Sequence, residues 1–456
     1  MIRFVLPILA ALAACTPQEQ VSRRADPATT TLPAMKQFPD QPVRRGVARS
    51  NVDIFNEFLD LTFSLESGQT IQRFTRFEGP VTVALTGQHA PIVGRDLDRL
   101  LARMRNEAGL QISRVNNAAA ANIVVQGISK RQLRRAAPNA ACIVVPRVAN
   151  WQQFRRARFS RLGDWSSLQV RERVAIFMPT DISPQDARDC LHEELAQALG
   201  PLNDLYRLPD SVYNDDNFNI VLSAYDMLIL RITYAPELRS GMAKHEVAAV
   251  LPKILSRTNP RGAGIPARGL VRTSAAWTNA IEAALGVRSN PTQRRAAATK
   301  AVQLARSEGM NDHRLGFAYY ARGRVTAAQD PESAAKDYAR AYAIFVNSFG
   351  PYAIHTAQTG LQMASLAMSS AQFKQALEFI EPSILAARQA ENGRLLFSLL
   401  AMKSEIYRIG GRVEEARKLQ QEAIAWGRYG IQSSAEIDDR LALIARLAPR
   451  LPEGGT

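Results

Sequence analysis

The chain has 456 residues, 46% of them hydrophobic, with a formal net charge of +15. That length carries two or three domains, each with a core of its own. Beyond the first fifteen residues no segment reaches membrane-spanning length, which excludes a body built of transmembrane helices, and the basic excess is spread along the chain as solvated faces rather than gathered into a nucleic-acid surface.

The N-terminus reads Met1, Arg3, an apolar run over 4–14, and then Leu12-Ala13-Ala14-Cys15. The run is too short to cross a bilayer and has the layout of a secretory signal. It resembles the signal and lipobox of bacterial lipoproteins. The resemblance implies that residues 1–14 are removed and that Cys15 carries palmitate-type chains, so that the protein meets the membrane through acyl groups alone. An Asp after the cysteine favours retention at the inner membrane in such proteins; Thr16 instead points to the periplasmic face of the outer membrane. No nucleic acid is expected there, whereas anionic lipid or glycan is. Residues 15–49 hold almost no large apolar side chain and read as a tether.

Order is expected from about Asn51. Between there and residue 180, strands are predicted at 72–77, 81–85, 111–115, 122–126, 142–147 and 174–178, each rich in Val, Ile or Phe. Helices are predicted at about 92–107, 130–136 and 150–161. The densest basic runs are Arg131, Arg134 and Arg135, then Arg155, Arg156, Arg158 and Arg161, which make one patch if the fold brings them together. A punctuated helix follows at 184–199, with Ser183 as N-cap, Pro184 in the first turn, Asp186 at the capping-box position, and Gly200-Pro201 as its end. A polar loop covers 203–217, then come helices at 218–234 and 243–256 and a Gly-, Pro- and Arg-rich linker at 257–274.

From 275 to 450 every candidate element is helical. Ala334, Tyr338 and Ala341 share a spacing with Ala376, Ile380 and Ser383, and with Ala416, Gln420 and Ala423. A near-constant period of small residues is the mark of stacked helical hairpins, and it resembles tetratricopeptide repeats of about 40 residues. A non-repeating helical bundle is the alternative.

With Cys15 taken by lipid, Cys142 and Cys190 remain. One even pair in an oxidising compartment implies one disulfide, worth roughly 3–5 kcal/mol in the chain-entropy account; two buried thiols are the alternative.

One constellation carries chemistry. On the 184–199 helix, Ala187, Leu191, Leu195 and Ala198 form an apolar stripe at about 100° per residue, and Cys190, Glu193, Glu194 and Gln197 flank it, with His192 on the other side. Zinc peptidases use His-Glu-x-x-His. From His192 the second ligand position falls on Ala196, which cannot coordinate. One residue later, Glu193-Glu194-x-x-Gln197-x-x-Gly200-x-x-Asn203 has the extended zincin spacing, with Glu194 at the base position, Glu193 and Gln197 at the first two ligand positions, and Asn203 or Asp204 at the third. A neutral Gln amide is a poor zinc ligand; a harder divalent ion would draw on Glu193, Asp204, Asp210, Asp215 and Asp216. Metal-free acid–base work, a cationic or sugar ligand, and plain support of the 203–217 loop are the other readings.

These residues, with Leu208-Pro209-Asp210-Ser211-Val212-Tyr213-Asn214-Asp215 and Pro236-Glu237-Leu238-Arg239-Ser240-Gly241-Met242, resemble an uncharacterised proteobacterial family, domain of unknown function 2927, over about 50–243. The resemblance implies a lipoprotein with a zincin-like architecture, in which Gly241-Met242 would echo the methionine turn beneath some zinc sites. The expectation is therefore an α+β, zincin-like domain at 50–256 followed by an all-α helical-repeat domain at 275–450. Its function would be a degenerate, non-catalytic module whose repeats bind a protein or peptide partner at the cell envelope. The alternative is a metal-dependent, peptidase-like hydrolase acting on envelope peptides or wall polymer, with Glu194 as base and Glu193, Gln197 and Asp204 around a divalent metal.

Overall fold

The computed structural model describes residues 32–39, 47–138, 140–269, 271–286 and 289–449. The chain forms two compact units, one of residues 39–275 and one of residues 276–456 together with the segment ending at Phe38. The signal, Cys15 and Thr16 lie outside the described residues.

The first unit opens with α1 (Asn51–Thr62), capped by the Ser50 hydroxyl, which accepts from Val52 N–H. Five strands follow: β1 (Val81–Thr86), β2 (Ile112–Arg114), β3 (Ile123–Ile128), β4 (Ile143–Pro146) and β5 (Val174–Pro179). They form one sheet in the order β2-β1-β3-β5-β4, parallel throughout except for β4, which runs antiparallel to β5 at the edge. The parallel β1–β2 pair is joined through α2 (Pro91–Ala108), as a parallel connection requires. Ala84, Val124, Ala175 and Val145 stand in register across four strands. On their side of the sheet, beneath β4 and β5, α3 (Lys130–Ala136) contributes Leu133 and α4 (Trp151–Ala157) contributes Trp151, Phe154 and Ala157 to one buried cluster with Phe177. The alternate residues Val83, Val125 and Ile176 are fully buried as well, so both faces are covered and the strands read as continuous apolar runs. After β5 come α5 (Pro184–Leu199), α6 (Ala224–Thr233) and α7 (Lys244–Thr258).

Four expected elements differ. The run 72–77 is not a sheet strand: its backbone pairs with a turn, Phe74 N–H donating to Met242 O and Gly241 N–H to Phe74 O, while Phe74 and Phe77 are buried. The helix expected from 218 begins at Ala224, because Ser223 and Asp226 form a capping box there. The helix expected over 150–161 stops at Ala157 and resumes only as a single 3-10 turn, Arg161–Gly163. Much of the stretch read as linker is bound down. A Cβ on Gly262 would lie 2.7 Å from Arg49 O, Arg268 N–H donates to Asp53, and Arg272 donates to Asp60, so this stretch is tied to α1 at three points.

The second unit is all helical: α8 (Ala275–Leu285), α9 (Pro291–Ser307), α10 (His313–Thr326), α11 (Pro331–Phe349), α12 (Ile354–Ser369), α13 (Phe373–Gln389), α14 (Gly393–Ile409), α15 (Val413–Gly430) and α16 (Ser434–Leu447). Its tightest pairs are α10 with α11, α12 with α13, and α14 with α15, and each hairpin also touches the next. The small-residue signature lies on the second helix of each pair. Ala334, Tyr338, Ala341, Ala376, Ile380, Ser383, Ala416 and Ala423 are all buried; only Gln420 is exposed. Within the expected tether, 32–38 is held on α15. Lys36 N–H donates to Ala425 O at 3.1 Å, its ammonium meets Glu422 at 2.8 Å, and the Phe38 ring stacks on Trp426 with centroids 4.4 Å apart. Among the described residues no helix is long and apolar enough to cross a membrane.

Candidate functional site

The site is built on α5. The Ser183 hydroxyl accepts from Asp186 N–H at 3.1 Å and Pro184 starts the helix. At the other end Arg171, fully buried, does what a glycine cap ordinarily does. Its guanidinium donates to Gln197 O and Ala198 O at 2.7 Å and to Gly200 O at 2.5 Å. Burial pushes Arg171 down to about 10, so it stays charged. Gly200 has no left-handed backbone; a Cβ there would come within 3.2 Å of Leu230 on α6, and close helix approach is what the glycine permits.

Cys190 is disulfide-bonded to Cys142, the residue before β4, with Cα atoms 5.9 Å apart. The bridge fixes α5 to the edge of the sheet beside the polar flank. His192 is buried and structural. Its Nδ1 accepts from Leu222 N–H at 3.0 Å, and burial with the nearby Arg188 and Arg103 charges holds its pKa well below the usual range. It is neutral and plays no part in the cluster.

The predicted polar residues do converge. Gln197 Nε2 approaches Asp204 Oδ2 at 3.4 Å, long for a hydrogen bond. Burial, then Asp215 and Glu66, push the Glu193 carboxyl up to about 8. Glu194 is pushed well above its ordinary value by burial and by Glu193 and Glu66. Asp204 is pushed up by burial, by Glu66, Asp215 and Glu193, and by a hydrogen bond with Glu66. Glu194 is 5% exposed, and its Oε2 has no hydrogen-bond partner; neither has Asp204 Oδ1. Glu193 and Asp204 are partly exposed and Glu66 is exposed, so the group opens to solvent on the Glu66 side. The shifts of Glu193, Glu194 and Asp204 all favour the protonated form, a hydrogen-bond donor rather than a base, and a bound cation or a higher pH favours the anion.

The 203–217 loop is held by other residues. Asn203 donates to Asp60 O, Arg207 pairs with Asp60 at 2.7 Å, and Ser211 Oγ and Val212 N–H donate to Asp226. Asp210 pairs with Arg49, which also meets Glu57 and stacks over Tyr225 at 4.1 Å. Asp216 accepts from Asn214 and from Phe218 N–H. The loop thus needs neither Glu193 nor Glu194 for its anchorage. Gly241-Met242 serves the Phe74 segment, and Met242 Sδ lies 3.3 Å from Arg239 N.

The donor set does not fit zinc. Among the described residues no three His, Cys, Asp or Glu side chains are grouped to hold a metal ion, and the second ligand position is a neutral amide turned toward Asp204. Two contributors escaped the sequence. Glu66 sits on a short hairpin closed by the Ser64–Thr70 bridge, and Arg171 lies 26 residues before the Gln197 carbonyl it caps. Neither has a local pattern that announces its partner.

Residues 51–253 match the family model described as a protein of unknown function, domain of unknown function 2927. No curated protein matches the chain. The matched segment runs from the first residue of α1 into α7, across the sheet, the disulfide and the α5 cluster, and the α/β domain of this chain belongs to the domain of unknown function 2927 family.

Proposed function

We propose that the chain is a lipid-anchored, periplasmic-side envelope protein in which a degenerate zincin-like domain and a tetratricopeptide-like helical scaffold bind a protein or peptide partner without catalysing a reaction. The signal-like N-terminus ending in Cys15 supports the anchor, and Thr16 supports the outer membrane. The observation that carries the non-catalytic reading is the state of Glu194. A base that activates water must be ionised near the working pH, and this carboxyl is buried, next to other acids, and held well above its ordinary value. Gln197 at the second ligand position is a poor ligand for the cation that would favour the ionised carboxylate. For the scaffold, the segment 32–38 supports peptide binding, because α15 already accepts an extended chain through a backbone hydrogen bond, an ion pair and an aromatic stack.

The test is metal analysis and peptidase assay of the mature chain purified without chelator, together with the mass of its N-terminal peptide. The expected result is an acylated Cys15, no stoichiometric metal and no hydrolysis. One equivalent of metal that is lost in Glu193→Ala, with peptide cleavage lost in Glu194→Gln, would replace this reading by the hydrolase.

A further inference from the structure

The two arginine runs lie on one side of the α/β domain. Leu133 of α3 and Trp151, Phe154 and Ala157 of α4 share one buried cluster over β4 and β5, so both helices turn their remaining faces outward from the same side of the sheet. On α3 those faces carry Lys130, Arg131, Arg134 and Arg135, which line a hollow of about 380 Å³. The one acid in its lining is Asp181, whose Oδ1 is already engaged by Lys130 N–H at 2.7 Å. On and after α4 come Arg155, Arg156, Arg158 and Arg161, all exposed. Among the described residues none of these seven exposed arginines is ion-paired, whereas the exposed Arg257 and Arg272 of the same domain are held by Glu237 and Asp60.

Among the arginines stand two exposed apolar side chains. Phe159 is 89% exposed, the most exposed large hydrophobic residue described, and Leu162 is 52% exposed. The Arg158 guanidinium lies 4.4 Å from the Phe159 ring centroid, which leaves the ring uncovered on its far side. The cation–π contact stabilises one face of the ring, while the rest of its area stays in water, where its burial in an apolar layer would be favourable. Cations alone would suit any polyanion. Cations around a projecting Phe and Leu suit a surface with anionic headgroups above and hydrocarbon beneath.

We propose that the α3–α4 side of the α/β domain, with Phe159 and Leu162 as its inserting residues, is a docking surface for an anionic lipid membrane. It needs no acyl chain, so it stands or falls separately from the lipobox reading. The arginines draw the face to the headgroups, and the two apolar side chains enter the interface beneath them.

The experiment is flotation of residues 16–456, which lack Cys15 and retain every described residue, with vesicles of phosphatidylcholine alone or mixed with phosphatidylglycerol, at low and high salt. The wild-type chain is expected to float with the mixed vesicles only, and to be released by salt. Arg134→Gln with Arg156→Gln should lower partitioning about 30-fold, and Phe159→Ser about tenfold. All three positions are exposed, and unchanged thermal midpoints establish that the variants are folded. Equal flotation with both vesicle types, no flotation, or loss in Phe159→Ser without loss in the arginine variant overturns the proposal. Binding to dextran sulfate that competes with vesicles and is indifferent to Phe159→Ser, while vesicle binding is indifferent too, overturns it in favour of an anionic glycan.

Discussion

In the helical unit the spacing between elements is set by what is missing. Gly323 lies where a Cβ would come within 2.8 Å of the Tyr338 ring, and Gly316 where one would come within 2.9 Å of Phe345. Buried charges there are matched at short range, Arg314 with Asp312, Asp337 with Arg322, Glu405 with Arg408. In the α/β unit the long loops are held by buried charge instead, Arg171 on the end of α5 and Arg49 between Glu57 and Asp210, and one group of acids is shifted by burial and by its own neighbouring carboxyls. Unpartnered buried polar atoms occur in both units, Trp426 Nε1 in the helical one and Glu194 Oε2 and Asp204 Oδ1 in the α/β one. The difference is that the two carboxyl oxygens belong to one group of acids, and such a group is a candidate for meeting a ligand.

The largest expected effect strikes that contrast at its strongest point. Arg171→Ala leaves three buried carbonyls at the end of α5 without a donor and should destabilise the α/β unit by about 3–5 kcal/mol. Hydrogen exchange should show α5 and β5 losing protection while α10 to α15 keep theirs. Equal loss in both units would mean that the two do not fold independently. Next, Cys142→Ser with Cys190→Ser should lower the denaturant midpoint of the α/β unit by an equivalent of about 3–5 kcal/mol, because the bridge closes a 48-residue separation. Gly323→Ala works on the other unit. The added methyl meets Tyr338, and the cost of overpacking is about 1–3 kcal/mol, read as lost protection in α10 and α11 alone.

The same division explains what could be read in advance. The five sheet strands and α2, α3, α5 and α7 follow from local apolar periods and caps, and the hairpins follow from alanines 42 and 40 residues apart. The disulfide followed from there being one pair to make. The run 72–77 misled because alternating apolar residues fit any extended segment buried on one side, and its partner proved to be the 239–242 turn rather than a strand. Residues 257–274 misled because Gly, Pro and Arg describe a segment bound by backbone contacts as well as a free one; Gly262 is there because Arg49 O is close, not because the chain bends freely. The proximity of Glu193, Glu194, Gln197 and Asp204 was legible from spacing, and their raised pKa values were not, because these depend first on burial and then on neighbours that include Glu66, more than a hundred residues away.

The smallest expected effect has an unusual sign and tests the acid group directly. Glu193 titrates near 8 in the folded chain and near 4.3 when unfolded, and Glu194 and Asp204 are shifted the same way. Between those values the native state holds more protons than the unfolded one, so stability falls as pH rises from about 4.5 through about 8. Asp226, pushed up to about 6 by burial, adds a slope of the same sense at lower pH. His192 works the other way, since a buried neutral imidazole costs stability only as pH drops below about 6.5. Comparing variant with wild type at each pH removes both. Glu194→Gln keeps the shape and cannot ionise. Its advantage over wild type should widen between pH 5 and pH 8, by at least about 1 kcal/mol, in urea unfolding of the α/β unit, with little change in the helical unit. A difference that is flat across this range would mean that Glu194 is already ionised and compensated in the free protein, and the hydrolytic base would then be available after all.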